Sequence, residues 1–301
     1  MLPIVEVNQL SKSFGEINAV HELSFTVIEG DVYGFLGQNG AGKSTTIRML
    51  LTLIQPTAGS VRIFGKELLK NRNEILQQTG AIIERPDLYK YISAYDNLSI
   101  FAKLSGIRPS RKTLMEQMEK VGLAERAKSK VGTFSQGMKQ RLGIAIAMIH
   151  DPQLIILDEP TNGLDPQGIA DMRNMIIDLR NTHKKTVIVS SHLLSEIEQV
   201  ATRMLIIDKG KKVVEGTIEE LFDPADTLVE LKTNSSDALE KIQGSAWGKN
   251  LQATDAGILF KLHSNNVSLL AKDLVAMDIG IENLSKKHSL ENLFLHLTKK
   301  E

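Results

Sequence analysis

The run Gly37-Gln38-Asn39-Gly40-Ala41-Gly42-Lys43-Ser44 has the glycine spacing and the Lys-Ser ending of a loop that wraps phosphates. Glycines let successive backbone N–H groups converge on phosphate oxygens, and a helix beginning at Ser44 adds the positive end of its dipole. In such a loop Lys43 reaches the β- and γ-phosphates and the Ser44 hydroxyl coordinates Mg²⁺; Thr45, next along, is counted with the binding residues. A second set of reactive groups stands far along the chain, where the apolar run Leu154-Ile155-Ile156-Leu157 ends in Asp158-Glu159. Acids at the C-terminal edge of a buried strand lie where open α/β sheets bind ligands. Asp158 is expected to hold Mg²⁺, directly or through water, and Glu159 to polarise an attacking water. Together the two runs predict nucleotide binding and hydrolysis.

These groups need a sheet to hold them. Val32–Leu36 reads as a short buried strand running into the glycine loop, followed by a helix over Ser44–Leu53. Residues 4–8, 24–28 and Val61–Phe64 read as strands, with turn signals at Glu29-Gly30-Asp31 and Pro56–Ser60. From about Pro86 to Lys130 the apolar spacing turns helical, at Ser93–Leu104 and Arg111–Val121. Strands return at Leu154–Leu157 and Thr186–Ser190 around a helical Gly168–Asn181, the alternation of a parallel α/β sheet. Composition shifts near Phe222–Asp226. Beyond it, strands are expected at Thr227–Leu231, Gly257–His263 and Gly280–Ser285, and helices at Ser236–Ile242, Val267–Met277 and Leu290–Thr298. The fold class is therefore α/β with a P-loop, divided into residues 1–222, with a helical subdomain at about 86–150, and a small α+β appendage at 223–301.

Composition narrows the function. Of 301 residues, 42% are apolar and 24% charged, enough for a sizeable core. Lys plus Arg number 36 and Asp plus Glu 36, and zero net charge argues against a nucleic-acid partner. The absence of cysteine excludes disulfides, Cys-ligated zinc and a thiol nucleophile. No apolar run approaches the roughly 18 residues of a membrane span, and Met1–Val7 lacks the features of a signal peptide. A cytoplasmic chain is expected.

On these motifs the sequence resembles the ATP-binding subunits of ABC transporters, over about residues 4–220. Phe134-Ser135-Gln136-Gly137-Met138-Lys139-Gln140-Arg141 stands in the place of the family signature, usually Leu-Ser-Gly-Gly-Gln. It departs at Phe134, Gln136 and Met138 but keeps Ser135 and Gly137, which the resemblance assigns to the γ-phosphate; taken alone, Ser135 reads as a helix N-cap. The resemblance implies that the signature of one copy closes over ATP held by the loop of a second copy, head to tail. It further implies that Gly163-Leu164-Asp165-Pro166 crosses the interface, that His192 senses the γ-phosphate, and that Phe14 lies under the adenine. The plain alternatives are a turn before a helix for Asp165 and a core residue for Phe14.

Glu84 stands where most members have Gln in contact with Mg²⁺ and the water. A carboxylate can ligate a hard cation, though a solvated loop glutamate is the alternative. With Pro86, Leu88-Tyr89 and Asn97-Leu98 following, with the Phe-Ser-x-Gly-Met-Lys-Gln-Arg signature and the C-terminal appendage, the sequence resembles subunits that defend bacteria against bacitracin and lantibiotic peptides. The resemblance thus implies a Mg²⁺-dependent ATPase peripheral on the inner face of the membrane, contacting it only through a separate transmembrane permease. The loop Pro86–Asn97, with Tyr89, Tyr91 and Tyr95, is expected either to dock that permease or to pack the helical subdomain. Two other readings stand beside transport. One is an ABC ATPase acting on DNA or ribosomes, which the lack of coiled-coil insertions and of a second module disfavours; the other is a drug-sensing module.

Overall fold

The computed structural model describes residues 2–221, 227–235, 237–254 and 257–287. They fall into two compact units, Met1–Glu215 and Gly216–Glu301. The expected junction at 222/223 and the expected helix Leu290–Thr298 lie outside the described residues.

In the first unit, β1 (Pro3–Phe14) and β2 (Ile17–Ile28) form an antiparallel hairpin, longer than the runs 4–8 and 24–28 suggest. The five residues of β3 (Val32–Leu36) are all buried and lead to α1 (Lys43–Leu50). This helix stops short of the expected Leu53, with Thr52 at a φ of 56°. β4 (Ala58–Ile63) and β5 (Lys66–Glu67) extend the hairpin into a four-stranded sheet, β2-β1-β4-β5. A short α2 (Arg72–Leu76) precedes β6 (Thr79–Ile82). The helical stretch then supplies α3 (Ala94–Leu104), α4 (Arg111–Lys120) and α5 (Gln136–Met148). Serines 93, 110 and 135 cap these three helices by accepting the N–H of Asp96, Thr113 and Met138, the local preference that starts a helix there.

The remaining strands and helices up to residue 221 are β7 (Leu154–Leu157), α6 (Pro166–Asn181), β8 (Thr186–Ser191), α7 (Leu194–Ile197), β9 (Arg203–Asp208), β10 (Lys211–Thr217), which runs through the unit boundary, and α8 (Ile218–Leu221), which belongs to the second unit. They complete a six-stranded sheet, β10-β9-β3-β8-β7-β6. The pairs β9–β3, β3–β8, β8–β7 and β7–β6 in it are parallel. Parallel strands carry helices on both faces, which is why β7 and β8 read as unbroken apolar runs. A side chain at Gly80 of β6 would place its Cβ 2.2 Å from the Ala147 carbonyl oxygen, so this glycine sets how closely α5 lies on the sheet. Phe25, Tyr33 and Phe35 pack ring to ring in the core. The Tyr33 hydroxyl donates to Glu215 Oε1 at 2.8 Å. Burial and the Glu215 charge raise its pKa well above the ordinary phenol value, keeping the donor protonated.

The second unit runs β11 (Thr227–Lys232), α9 (Ala238–Gln243), β12 (Leu251–Thr254), β13 (Gly257–Leu262), α10 (Val267–Ala276), β14 (Asn283–Lys287). Its antiparallel sheet has the order β12-β13-β11-β14. That β-α-β-β-α-β order is the split βαβ, ferredoxin-like arrangement. Val229, Leu231, Phe260, Ile242, Leu270 and Leu274 share its core, and Trp247 Nε1 donates to Asp273 Oδ2 at 2.9 Å. Among the described residues of both units, no helix is long and apolar enough to cross a membrane.

Candidate nucleotide site

The loop between β3 and α1 takes its shape from backbone that a side chain would obstruct. Gly42, at the helix start, has a φ of 104°, and a Cβ there would lie 2.6 Å from the Ala19 carbonyl oxygen. Glycine meets both constraints. Lys43 is buried, with 5% of its side chain exposed; its Nζ donates to the carbonyls of Gly37 (2.7 Å) and Gln38 (3.3 Å) and lies 3.1 Å from Glu159 Oε1. A cleft of about 320 Å³ brings Asn39, Gly40, Ser44 and Thr45 together with Glu159 and His192. Residues separated by more than a hundred positions thus share one space, because β7 and β8 end beside the loop that β3 feeds.

The acids at the end of β7 are held differently from one another. Asp158 is fully buried. Its Oδ1 accepts from the Ser190 hydroxyl at 2.6 Å, while Oδ2 has no hydrogen-bond partner among the described residues. A buried carboxylate oxygen left without a donor is the kind of hard ligand that Mg²⁺ takes. Among the described residues no three His, Asp or Glu side chains converge into a metal cage. Glu159 has a φ of 49°, a conformation unfavourable for any residue with a Cβ and one that collects at functional sites. Its Oε2 lies 2.8 Å from His192 Nδ1 and its Oε1 faces Lys43, so the carboxylate is fixed between two cationic or potentially cationic groups.

Ser190 ties this pair together. Its hydroxyl donates to Asp158 and accepts the Glu159 N–H at 2.9 Å. Composition and motif gave no hint of it. The signal lies in the register, since Leu157 pairs with Val189 and the next residue on β8 must therefore flank the acids. Ser190→Ala leaves two buried polar groups short of a partner, at about 1–3 kcal/mol. We expect ATP turnover to fall by about tenfold or more, with the far-UV circular dichroism spectrum kept; full activity would reduce Ser190 to a bystander.

Ser135, Gly137 and Asp165 do not enter this cleft. They line a separate one of about 370 Å³ with Leu164 and Gly168. There the Asp165 carboxylate caps α6 by accepting the Gly168 N–H at 2.9 Å. The two clefts share no lining residue. Phe14 is half exposed, with Lys12 Nζ 5.0 Å from its ring centroid, and lines neither. The Glu84 carboxylate is exposed and accepts from Arg48 at 2.6 Å, again outside the cleft lining. In the loop that follows, Tyr91 is 90% exposed and Tyr89 half exposed against Phe101. The buried Asn97 holds this loop by bonding both the N–H and the carbonyl of Tyr89.

Known proteins resemble this chain in sequence and in fold. The sequence profile of the family described as ABC transporter matches residues 20–162. A bacitracin transport ATP-binding protein of Bacillus licheniformis is 49% identical over 221 residues, covering 73% of this chain and 72% of that protein. A lantibiotic transport ATP-binding protein of Streptococcus pyogenes is 41% identical, covering 77% of this chain and 96% of that protein. A solved ATP-binding subunit of an ABC transporter superposes with a TM-score of 0.63 at 30% identity, over 72% of this chain and 91% of its own.

Proposed function

Because the chain belongs to the ABC transporter family as an ATP-binding subunit, we propose that it is the Mg²⁺-dependent motor of an exporter conferring resistance to bacitracin- or lantibiotic-type peptides. The observation that carries the reading is the split of the site. Lys43, Glu159 and His192 meet in one cleft, and Ser135, Gly137 and Asp165 in another. A second copy, placed head to tail, supplies the missing half of each site, so ATP binding drives pairing.

Within that pair, Lys43 exchanges the Gly37 and Gln38 carbonyls and Glu159 for phosphate oxygens. Glu159, released from Lys43 and still held by His192, accepts a proton from the attacking water. Ser44 and Asp158, whose Oδ2 has no hydrogen-bond partner among the described residues, would hold Mg²⁺, which when bound would supply charge stabilisation at the phosphate oxygens. Catalysis is mostly positioning and preorganised charge. The bilayer is spanned by a separate permease, docked at Pro86–Asn97 through the exposed tyrosines, which places the chain on the inner face of the membrane. Nucleic acid has no part in the cycle.

The test is to delete the gene from its native cells and to isolate the tagged chain in mild detergent. We expect sensitivity to bacitracin or a lantibiotic to increase, and a polytopic membrane protein to co-isolate in stoichiometric amount. Unchanged sensitivity, with ribosomal proteins or nucleic acid co-isolating instead, would overturn the reading.

A further inference from the structure

Position 84 brings a third carboxylate toward the reacting pair. β6 runs parallel to β7 with Ile82 opposite Leu157, and the Asp158 N–H donates to the Ile82 carbonyl at 2.9 Å. Continued in that register, the ladder would set Glu84 level with Glu159. The chain leaves the ladder instead. Glu84 takes a φ of 57°, a left-handed conformation that a residue with a Cβ adopts only when its surroundings hold it. Two helices do so. Arg48, on the helix that starts at Lys43, donates from Nη2 to the carboxylate at 2.6 Å, and Gln140 of α5 donates from Nε2 to the Glu84 carbonyl at 3.4 Å.

We propose that Arg48 is a positioning residue whose guanidinium draws the Glu84 carboxylate away from Asp158 and Glu159. The chain thereby carries an acid at this position without adding negative charge to a site that must receive a polyphosphate. This inference rests on the ATP-site reading above. The pair is exposed on both sides, with 42% and 62% of the side chains accessible, so it contributes little to folding stability. Its effect is on the field at the cleft. Without Arg48 the carboxylate is uncompensated and opposes the phosphate charge; across an intermediate dielectric one such charge weakens nucleotide binding about fivefold at low salt.

The experiment is titration of the full chain with a fluorescent ATP analogue in EDTA, so that no metal contributes. Wild type, Arg48→Gln, Arg48→Lys, Glu84→Gln and the double variant Arg48→Gln/Glu84→Gln are compared at low and high ionic strength. We expect Arg48→Gln to raise the dissociation constant about fivefold at low salt and by less at high salt. Arg48→Lys should stay near wild type, and adding Glu84→Gln to Arg48→Gln should restore binding to within about twofold. A merely structural role for Arg48 would not be rescued by removing the charge at position 84. Wild-type affinity in Arg48→Gln, or a double variant as weak as the single one, would overturn the proposal. Failure of the wild-type chain itself to bind the analogue would overturn the ATP-site reading, and this inference with it.

Discussion

Glu159→Gln turns over ATP about a hundred- to a thousandfold more slowly than the parent chain, the loss expected when a general base is replaced by a group that cannot take a proton. The substitution changes little else. Gln keeps the size of Glu, the strained backbone at a φ of 49° is met equally by both, and the Ser190 anchor is to the backbone N–H rather than to the carboxylate. His192 Nδ1 and Lys43 Nζ meet different carboxylate oxygens, at 2.8 and 3.1 Å, and the single amide oxygen of Gln can serve only one of them, the NH2 having nothing to accept with toward the ammonium. Nucleotide affinity is therefore kept or improved, because Glu159 no longer competes with phosphate for Lys43. Phosphate release and equilibrium binding, measured on the same preparation, separate these two effects. Hydrolysis at the parental rate would remove Glu159 from its role.

Lys43→Ala acts on binding instead. The ammonium is buried among the Gly37 and Gln38 carbonyls and Glu159, and among the described residues no second Lys or Arg lines the cleft. Charged hydrogen bonds of this kind contribute about 1.5–3 kcal/mol each, so losing the one to phosphate weakens ATP binding by about ten- to a hundredfold. The loop keeps its form, since Gly42 and its carbonyl still accept the N–H and hydroxyl of Thr46 at 2.9 and 3.0 Å. Titration with a fluorescent nucleotide, alongside far-UV circular dichroism, checks this. Parental affinity in a folded variant would contradict the assignment of the loop.

Contiguous residues made the half-sites readable in the sequence. The glycine loop, the Asp158-Glu159 pair and the Ser135 cap of α5 are each encoded within a few positions. Contacts set by sheet order were not. Ser190 reaches the acids only because β8 lies between β3 and β7, and Arg48 meets Glu84 only because α1 passes the end of β6. Sequence reading also left out β9, whose apolar Met204–Ile207 is buried, and β12, a four-residue edge strand too short to carry a period. The strand expected over Gly280–Ser285 begins at Asn283. Gly280 is instead held by the Ser235 hydroxyl, which accepts its N–H at 3.0 Å.

On the function proposed above, each ATP lies between two copies, one contributing Lys43, Glu159 and His192 and the other Ser135, Gly137 and Asp165. Sedimentation of the Glu159→Gln chain with and without ATP tests it most directly, with Glu159→Gln/Ser135→Arg as the comparison. The account predicts a shift from monomer to dimer on adding ATP, and no shift in the double variant, although its own loop still binds nucleotide. A chain that binds ATP and stays monomeric, or a double variant that pairs as well as the single one, would contradict it.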